Sequence, residues 1–360
     1  MSSCVRSLAP LLLSLCILFA GAVAAQDAPP LDPQADAPGT DAPGTDAPEA
    51  ETPLPPGARE LEAIVVTGRQ PGPGLWKVRK GDHVLWILGV QSPLPKRMEW
   101  DSANVERRIA GSQEVLTAPS ATLDADIGFF RGLTLLPSLL KARKNPDGKT
   151  LRELVTPEQY ARWTVLKARY IGGDDGVEEW RPLFAALELY RKAIARTGLS
   201  DSQVVMDLVR KTAKRSGVPV TEPKVVVKVA DPKSALKEFS RTTLDDTQCF
   251  AKTLERIEAD LGTMVVRANA WAEGDIETLR ANTHPTQWSA CAAAMTGNAI
   301  ARKAGFADIE ARVRVKWMEM AEAALARNAS TFAILPAGEM FAADGYLARL
   351  AAEGYAVEEP

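Results

Sequence analysis

An unbroken apolar run, His-Val-Leu-Trp-Ile-Leu-Gly-Val at residues 83–90, stops at a glycine step and gives way to Gln-Ser-Pro-Leu-Pro. A run of that length without polar alternation reads as a strand buried inside a sheet. Ser-Thr-Phe-Ala-Ile-Leu-Pro at residues 330–336 has the same character. The chain must therefore bring residues near 88 to residues near 334, across a long middle. In α/β folds the carboxyl ends of such strands carry the chemistry. The turns after Gly89 and after Leu335 are where functional groups are expected.

The rest of the pattern fills in around these two runs. Residues 61–66 and 75–80 are short β-type segments, and the Lys-Gly-Asp turn at 80–82 makes a hairpin with the strand that follows. Ser-Ala-Asn-Val-Glu-Arg-Arg-Ile-Ala-Gly-Ser is helical by composition and precedes Gln-Glu-Val-Leu, so a first βαβ unit is predicted. From about Leu133 to Gly217 helical signals recur: Thr156 caps ahead of Pro157, and a segment opens on Ser200 and ends basic before Gly217. Residues 218–229 return to β. A long helix then shows Leu254, Ile257, Leu261, Met264, Val265 and Ala268 at spacings of three and four, one buried face. Another carries Ile309, Val313, Trp317, Met320 and Ala324; a short helix closed by Gly354 and a final strand complete the chain. The expected fold class is α/β, a central mixed β-sheet built from two halves with a large helical insertion between front and rear strands.

The amino terminus is of a different kind. Residues 1–25 hold Arg6, an apolar run and small residues at Ala22, Ala24 and Ala25, the layout of a secretory signal peptide cleaved near Ala24 or Ala25. Export to the periplasm is expected, with no membrane span in the mature chain. Residues 26–57 hold nine prolines, seven acids and no Lys or Arg, so they are expected to be a disordered acidic linker. Residues 58–360 form the predicted folded domain, with a balance of about +3 that suggests neither nucleic acid nor anionic lipid. Two cysteines remain after cleavage, Cys249 and Cys291. In an oxidising compartment they are expected to form a disulfide, the competing reading being two buried thiols. They lack the spacing of a metal site.

Three stretches together resemble the TraB/GumN family, to which the Tiki metalloproteases are related. They are Leu-Trp-Lys-Val-Arg-Lys-Gly-Asp-His-Val-Leu-Trp-Ile-Leu-Gly-Val-Gln-Ser-Pro-Leu-Pro at the front, residues 204–223 in the middle, and residues 330–360 at the end. The resemblance covers most of residues 75–360. It implies an α/β fold whose halves bring strand ends together around a divalent metal. It also exposes departures. The front motif G-x-x-H is here Gly89, Val90, Gln91 and Ser92; the rear motif, like G-A-G-H-L, is Pro336, Ala337, Gly338, Glu339 and Met340. Where the family has a glutamate ending the second strand, this chain has Ala118, with Glu114 earlier. Where an Arg-Asn pair precedes a helical tryptophan, it has Val313 and Arg314 ahead of Trp317.

A catalytic metal typically needs three imidazole, thiolate or carboxylate ligands plus an open position. One carboxylate, Glu339, a hydroxyl, Ser92, and an amide, Gln91, hold such an ion poorly. His83 lies at the far end of its strand and His284 in a loop before Pro285, so neither repairs the set. The cluster Asp174, Asp175, Glu178 and Glu179 lacks calcium-loop spacing and reads as a turn before a helix with acids at its amino end. The expectation is a catalytically degenerate family member with a residual cleft of Gly89, Gln91, Ser92, Gly338 and Glu339. It would act as a periplasmic binding or scaffolding protein for an envelope protein or peptide, with no cofactor. The alternative is a hydrolase or peptidase using a divalent metal held by Glu339 and Glu114, or Ser92 as nucleophile with Glu339 as base.

Overall fold

The computed structural model describes residues 69–360 except 97, 125–128, 202, 230, 283–290, 292–293, 295–300, 303–304 and 307. The predicted signal peptide, acidic linker, 61–66 strand and His284 lie outside the described residues. In chain order the elements are β1 (Leu75–Lys80), β2 (His83–Val90), β3 (Leu94–Pro95), α1 (Ala103–Ala110), β4 (Glu114–Leu116), β5 (Ser120–Asp124) and α2 (Phe129–Ala142). The helical middle follows as α3 (Leu151–Leu154), α4 (Pro157–Tyr170), α5 (Pro182–Arg196), the two-residue β6 (Leu199–Ser200) and α6 (Val204–Ser216). Next come β7 (Val220–Thr221), β8 (Lys224–Lys228), α7 (Pro232–Arg241), α8 (Thr247–Glu273) and α9 (Ile276–Ala281). The chain closes with α10 (Ile309–Arg327), β9 (Ser330–Pro336), α11 (Ala337–Met340), α12 (Tyr346–Ala352) and β10 (Ala356–Glu358).

A mixed six-stranded sheet in the order β10-β1-β2-β9-β4-β7 forms the centre. β2, β9, β4 and β7 run parallel, with Val90 opposite Pro336 and Glu114 opposite Thr331, while β1 and β10 add antiparallel neighbours. The expected crossover from β2 through α1 to β4 is present, but the rear strand β9 is inserted between the two. β9 can take that central place because Thr331 through Leu335 are all buried. Its alternate side chains enter two cores: Phe332 and Ile334 pack with α1, α4, α5, α6 and α8, whereas Ala333 and Leu335 pack with α10 and α12. The result is three layers, helix on sheet on helix.

The stripe predicted on the long helix is buried in α8 as expected, apart from the half-buried Val265. The helix expected to open on Ser200 begins at Val204 instead, because Leu199–Ser200 pairs antiparallel with β3. Residues 218–229 are β-structure in two pieces. β4 and β7 pair in the main sheet; the same two segments then bend at Pro119 and Pro223, which cannot donate to a ladder, and pair again as the separate parallel ribbon β5–β8. α2 and α7 continue from this ribbon and pack on each other, forming an arm.

The arm is tied down by Arg181, whose guanidinium is buried at the start of α5. It donates to Ala142 O at 3.0 Å, Phe239 O at 2.8 Å and Thr242 O at 2.7 Å, using up carbonyls at the ends of both arm helices. Nearby, Cys249 and Cys291 form a disulfide with Cα atoms 4.6 Å apart, joining α8 to the segment 42 residues onward. Among the described residues no helix is long and apolar enough to cross a membrane.

Candidate functional site

The front strand ends where expected, at the carboxyl edge beside β9, but side chains fill the space there. A Cβ placed on Gly89 would lie 2.8 Å from Met340 Cε and 3.8 Å from Ala337 Cβ. The Gly89 carbonyl accepts a 2.7 Å hydrogen bond from the buried indole of Trp271 at the end of α8. Among the described residues, a small, partly open apolar pocket of about 10 Å³ lies between Trp76, Trp271, Ala337, Met340 and the chain at Pro73–Gly74. That is hardly room for one water, and its walls offer almost nothing to hydrate.

The outer wall is the chain's own amino-terminal strap. Gln70 bridges Trp100, and Gly72 N donates to Ala272 O at 2.7 Å. Gly274, left-handed at φ 77°, ends α8 so close to the strap that a Cβ there would sit 2.7 Å from Gly72 O. Any side chain at 274 would thus push the strap away and strain the helix cap together.

Ser92 and Glu339 belong to opposite faces of the sheet. The Ser92 hydroxyl donates to Asp201 Oδ1 at 3.0 Å, and Gln91 Nε2 donates back to Ser92 O at 2.9 Å. This ties the front turn to the α5–α6 connection. Glu339 and Gly338 are exposed on α11, and Glu339 instead faces α10 and α12. The surrounding protein takes away part of its hydration and holds its carboxyl above the usual range; Arg314 opposes this and Glu310 reinforces it. The neighbouring Tyr346 is buried, its hydroxyl pushed well up first by burial and then by the Glu339 charge. Arg314 also pairs with Asp344 at 3.1 Å. The Ser92 hydroxyl is bonded to Asp201, and the charges acting on Glu339 are those of Arg314 and Glu310, so the two side chains are not joined as a nucleophile and base.

Glu114 is farther still. It is buried at the amino end of β4, accepting from Thr221 Oγ1 at 2.5 Å, Arg327 Nη2 at 2.5 Å and Asn328 Nδ2 at 3.0 Å. It stands opposite Thr331, five residues before Pro336, which is roughly 17 Å along the strand. Glu114 and Glu339 therefore cannot ligate one ion, which corrects that expectation. His83 lies at the same amino edge, its Nδ1 2.6 Å from Leu325 O. The acidic stretch at 174–179 is consumed by local bonds. Asp174 caps Gly176 N, Asp175 and Glu178 flank Lys167, Glu178 also accepts from the Trp163 indole, and Glu179 pairs with Lys144.

Residues 74–359 match the TraB/PrgY/gumN family model. The chain belongs to the TraB/PrgY/gumN family. No curated protein and no solved structure matches it. The divalent metal that the family resemblance implies does not fit the residues here. Where G-x-x-H should deliver an imidazole, the Ser92 hydroxyl bonds Asp201; where the rear histidine should stand, there is the exposed Glu339, on which the Arg314 charge acts. Among the described residues no three His, Cys, Asp or Glu side chains gather as a metal would need. Asp201, Trp271 and Met340 were not visible as site residues in the sequence. Met340 follows Glu339 in the quoted motif, but nothing local says that its side chain folds back onto Gly89.

Proposed function

We propose that this family member is exported to the periplasm, has lost the metal-dependent hydrolysis implied for its relatives, and works as a binding or scaffolding protein for an envelope protein or peptide. The observation that carries this reading is the filled strand end: Met340, Ala337 and Trp271 occupy the space beside Gly89, while Ser92 and Glu339 are turned to opposite layers. A Lewis-acid mechanism needs several converging electron-pair donors and a vacant position for water, and neither is supported by this arrangement. The leader at residues 1–25 and the linker at 26–57 support export and a spacer between the domain and whatever it meets.

Elemental analysis of the purified protein after equilibration with Zn²⁺ and Mn²⁺ tests the reading. Substoichiometric, easily chelated metal is expected; one tightly held ion per chain would overturn it. The hydrolase alternative would now rest on the Ser92–Asp201 hydrogen bond alone, with no imidazole to relay a proton. Ester or peptide cleavage that Ser92→Ala abolishes would establish that alternative.

A further inference from the structure

The arm has a surface unlike the rest of the described residues. Leu136 and Leu140, one helical turn apart on α2, are 50% and 41% exposed, and every other strongly exposed large apolar residue among the described ones is a valine. Leu135 and Leu139 lie half-buried beside them. α2 contains no Asp or Glu. Lys141 follows directly, and Lys237 and Arg241 project from α7, whose end meets the end of α2 at the Arg181 guanidinium. Because Arg181 already satisfies the carbonyls of Ala142, Phe239 and Thr242, these three exposed cations are not needed to cap the helices. Among the described residues Lys141, Lys237 and Arg241 have no acidic partner in an ion pair, and neither does Lys228 at the root of the arm. The acids nearby are Asp231, spent on capping Ser234 N, Asp246, which accepts from Leu183 N beside Arg181, and Asp124, Glu238 and Asp245.

We infer that the end of the arm beside α5, where the exposed leucines of α2 lie near Lys141, Lys237 and Arg241, docks on an anionic lipid bilayer. Leucines one turn apart can enter the boundary between headgroups and acyl chains while basic side chains stay level with the phosphates. A second copy of this chain is a poor occupant of the same face, because it would set cations against cations. The near-neutral charge of the whole domain does not oppose the inference, since a surface attracts within a Debye length and senses the patch rather than the total.

Vesicle flotation tests it, using the chain from Gln26 onward so that the apolar leader does not itself enter bilayers. Vesicles of phosphatidylcholine with 30% phosphatidylglycerol (roughly that anionic share is enough to attract a polybasic face) are compared with pure phosphatidylcholine. Binding to the anionic vesicles only is expected, weakened by salt. It should fall roughly fivefold for each of Lys141→Gln and Lys237→Gln, and be lost in Leu136→Ser with Leu140→Ser. All four residues are exposed, so the urea midpoint of each variant should match the parent. Equal binding to both vesicles, no binding, or anionic binding untouched by the serine substitutions would overturn the inference. So would a concentration-dependent dimer that the serine variants abolish.

Discussion

Replacing Gly89 and Met340 together asks directly whether the strand end is packed shut. Met340 is 1% exposed and lies in the core between the sheet and α10. Met340→Ala alone should destabilise by about 2–5 kcal/mol, the range for truncating a buried methionine. Gly89→Ala alone forces its methyl to within 2.8 Å of Met340 Cε, so the thioether end must move inside a dense core. Overpacking of that kind costs about 1–3 kcal/mol, partly offset by the smaller backbone entropy lost by alanine. In the double variant the new methyl occupies part of the space vacated by the thioether. The loss should then be smaller than the sum of the single losses by at least about 1 kcal/mol, well beyond the usual additivity error of about 0.5 kcal/mol. Urea unfolding followed by tryptophan fluorescence measures all four corners of the cycle, with Trp76 and Trp271 reporting from the walls of the pocket. Additive losses would refute the packed strand end, because they would mean that the two groups do not compete for one space.

Two other outcomes are expected. Reducing the Cys249–Cys291 bridge opens a loop of 42 residues and should lower stability by about 4 kcal/mol on the chain-entropy estimate; a urea midpoint indifferent to dithiothreitol would contradict this. Glu339 should make stability depend on pH in a defined sense. The surrounding protein takes away part of its hydration and holds its carboxyl above the usual range, so the protonated form is favoured by folding. The stability it contributes is complete below about 4.5 and is lost as the pH rises through the folded value. Glu339→Gln should therefore be more stable than the parent at neutral pH and equal to it at pH values well below the carboxylate range. A glutamine variant less stable at neutral pH would show that the Arg314 attraction outweighs the lost hydration.

Much of the architecture was legible because it depends on local patterns. The three-residue and four-residue spacings from Leu254 to Ala268 require a helix with one buried face whatever it packs against. The apolar run at 330–336 requires a strand covered on both sides. The small turn at Gly81 and the left-handed glycines at 217 and 354 end their elements with local backbone geometry alone. The βαβ order was legible as well, but not that β9 would slip between β2 and β4, since that choice compares non-local pairings that no window of sequence contains. Ser200 was misplaced for a similar reason: its pairing partner β3 lies more than a hundred residues away.

The sequence by itself determined the family, the two strand ends at which a site must stand, and the residue types there, serine and glutamate in place of imidazoles. Side-chain identity is a property of the chain, and so is what those groups can donate. Only the tertiary structure decided where they point. Ser92 and Glu339 follow adjacent parallel strands, yet the first is held by Asp201 on one layer and the second lies beside Arg314 on the other. Likewise a nearly balanced total charge conceals the basic arm, because summation over a chain discards position, and position is what both a metal ion and a membrane respond to.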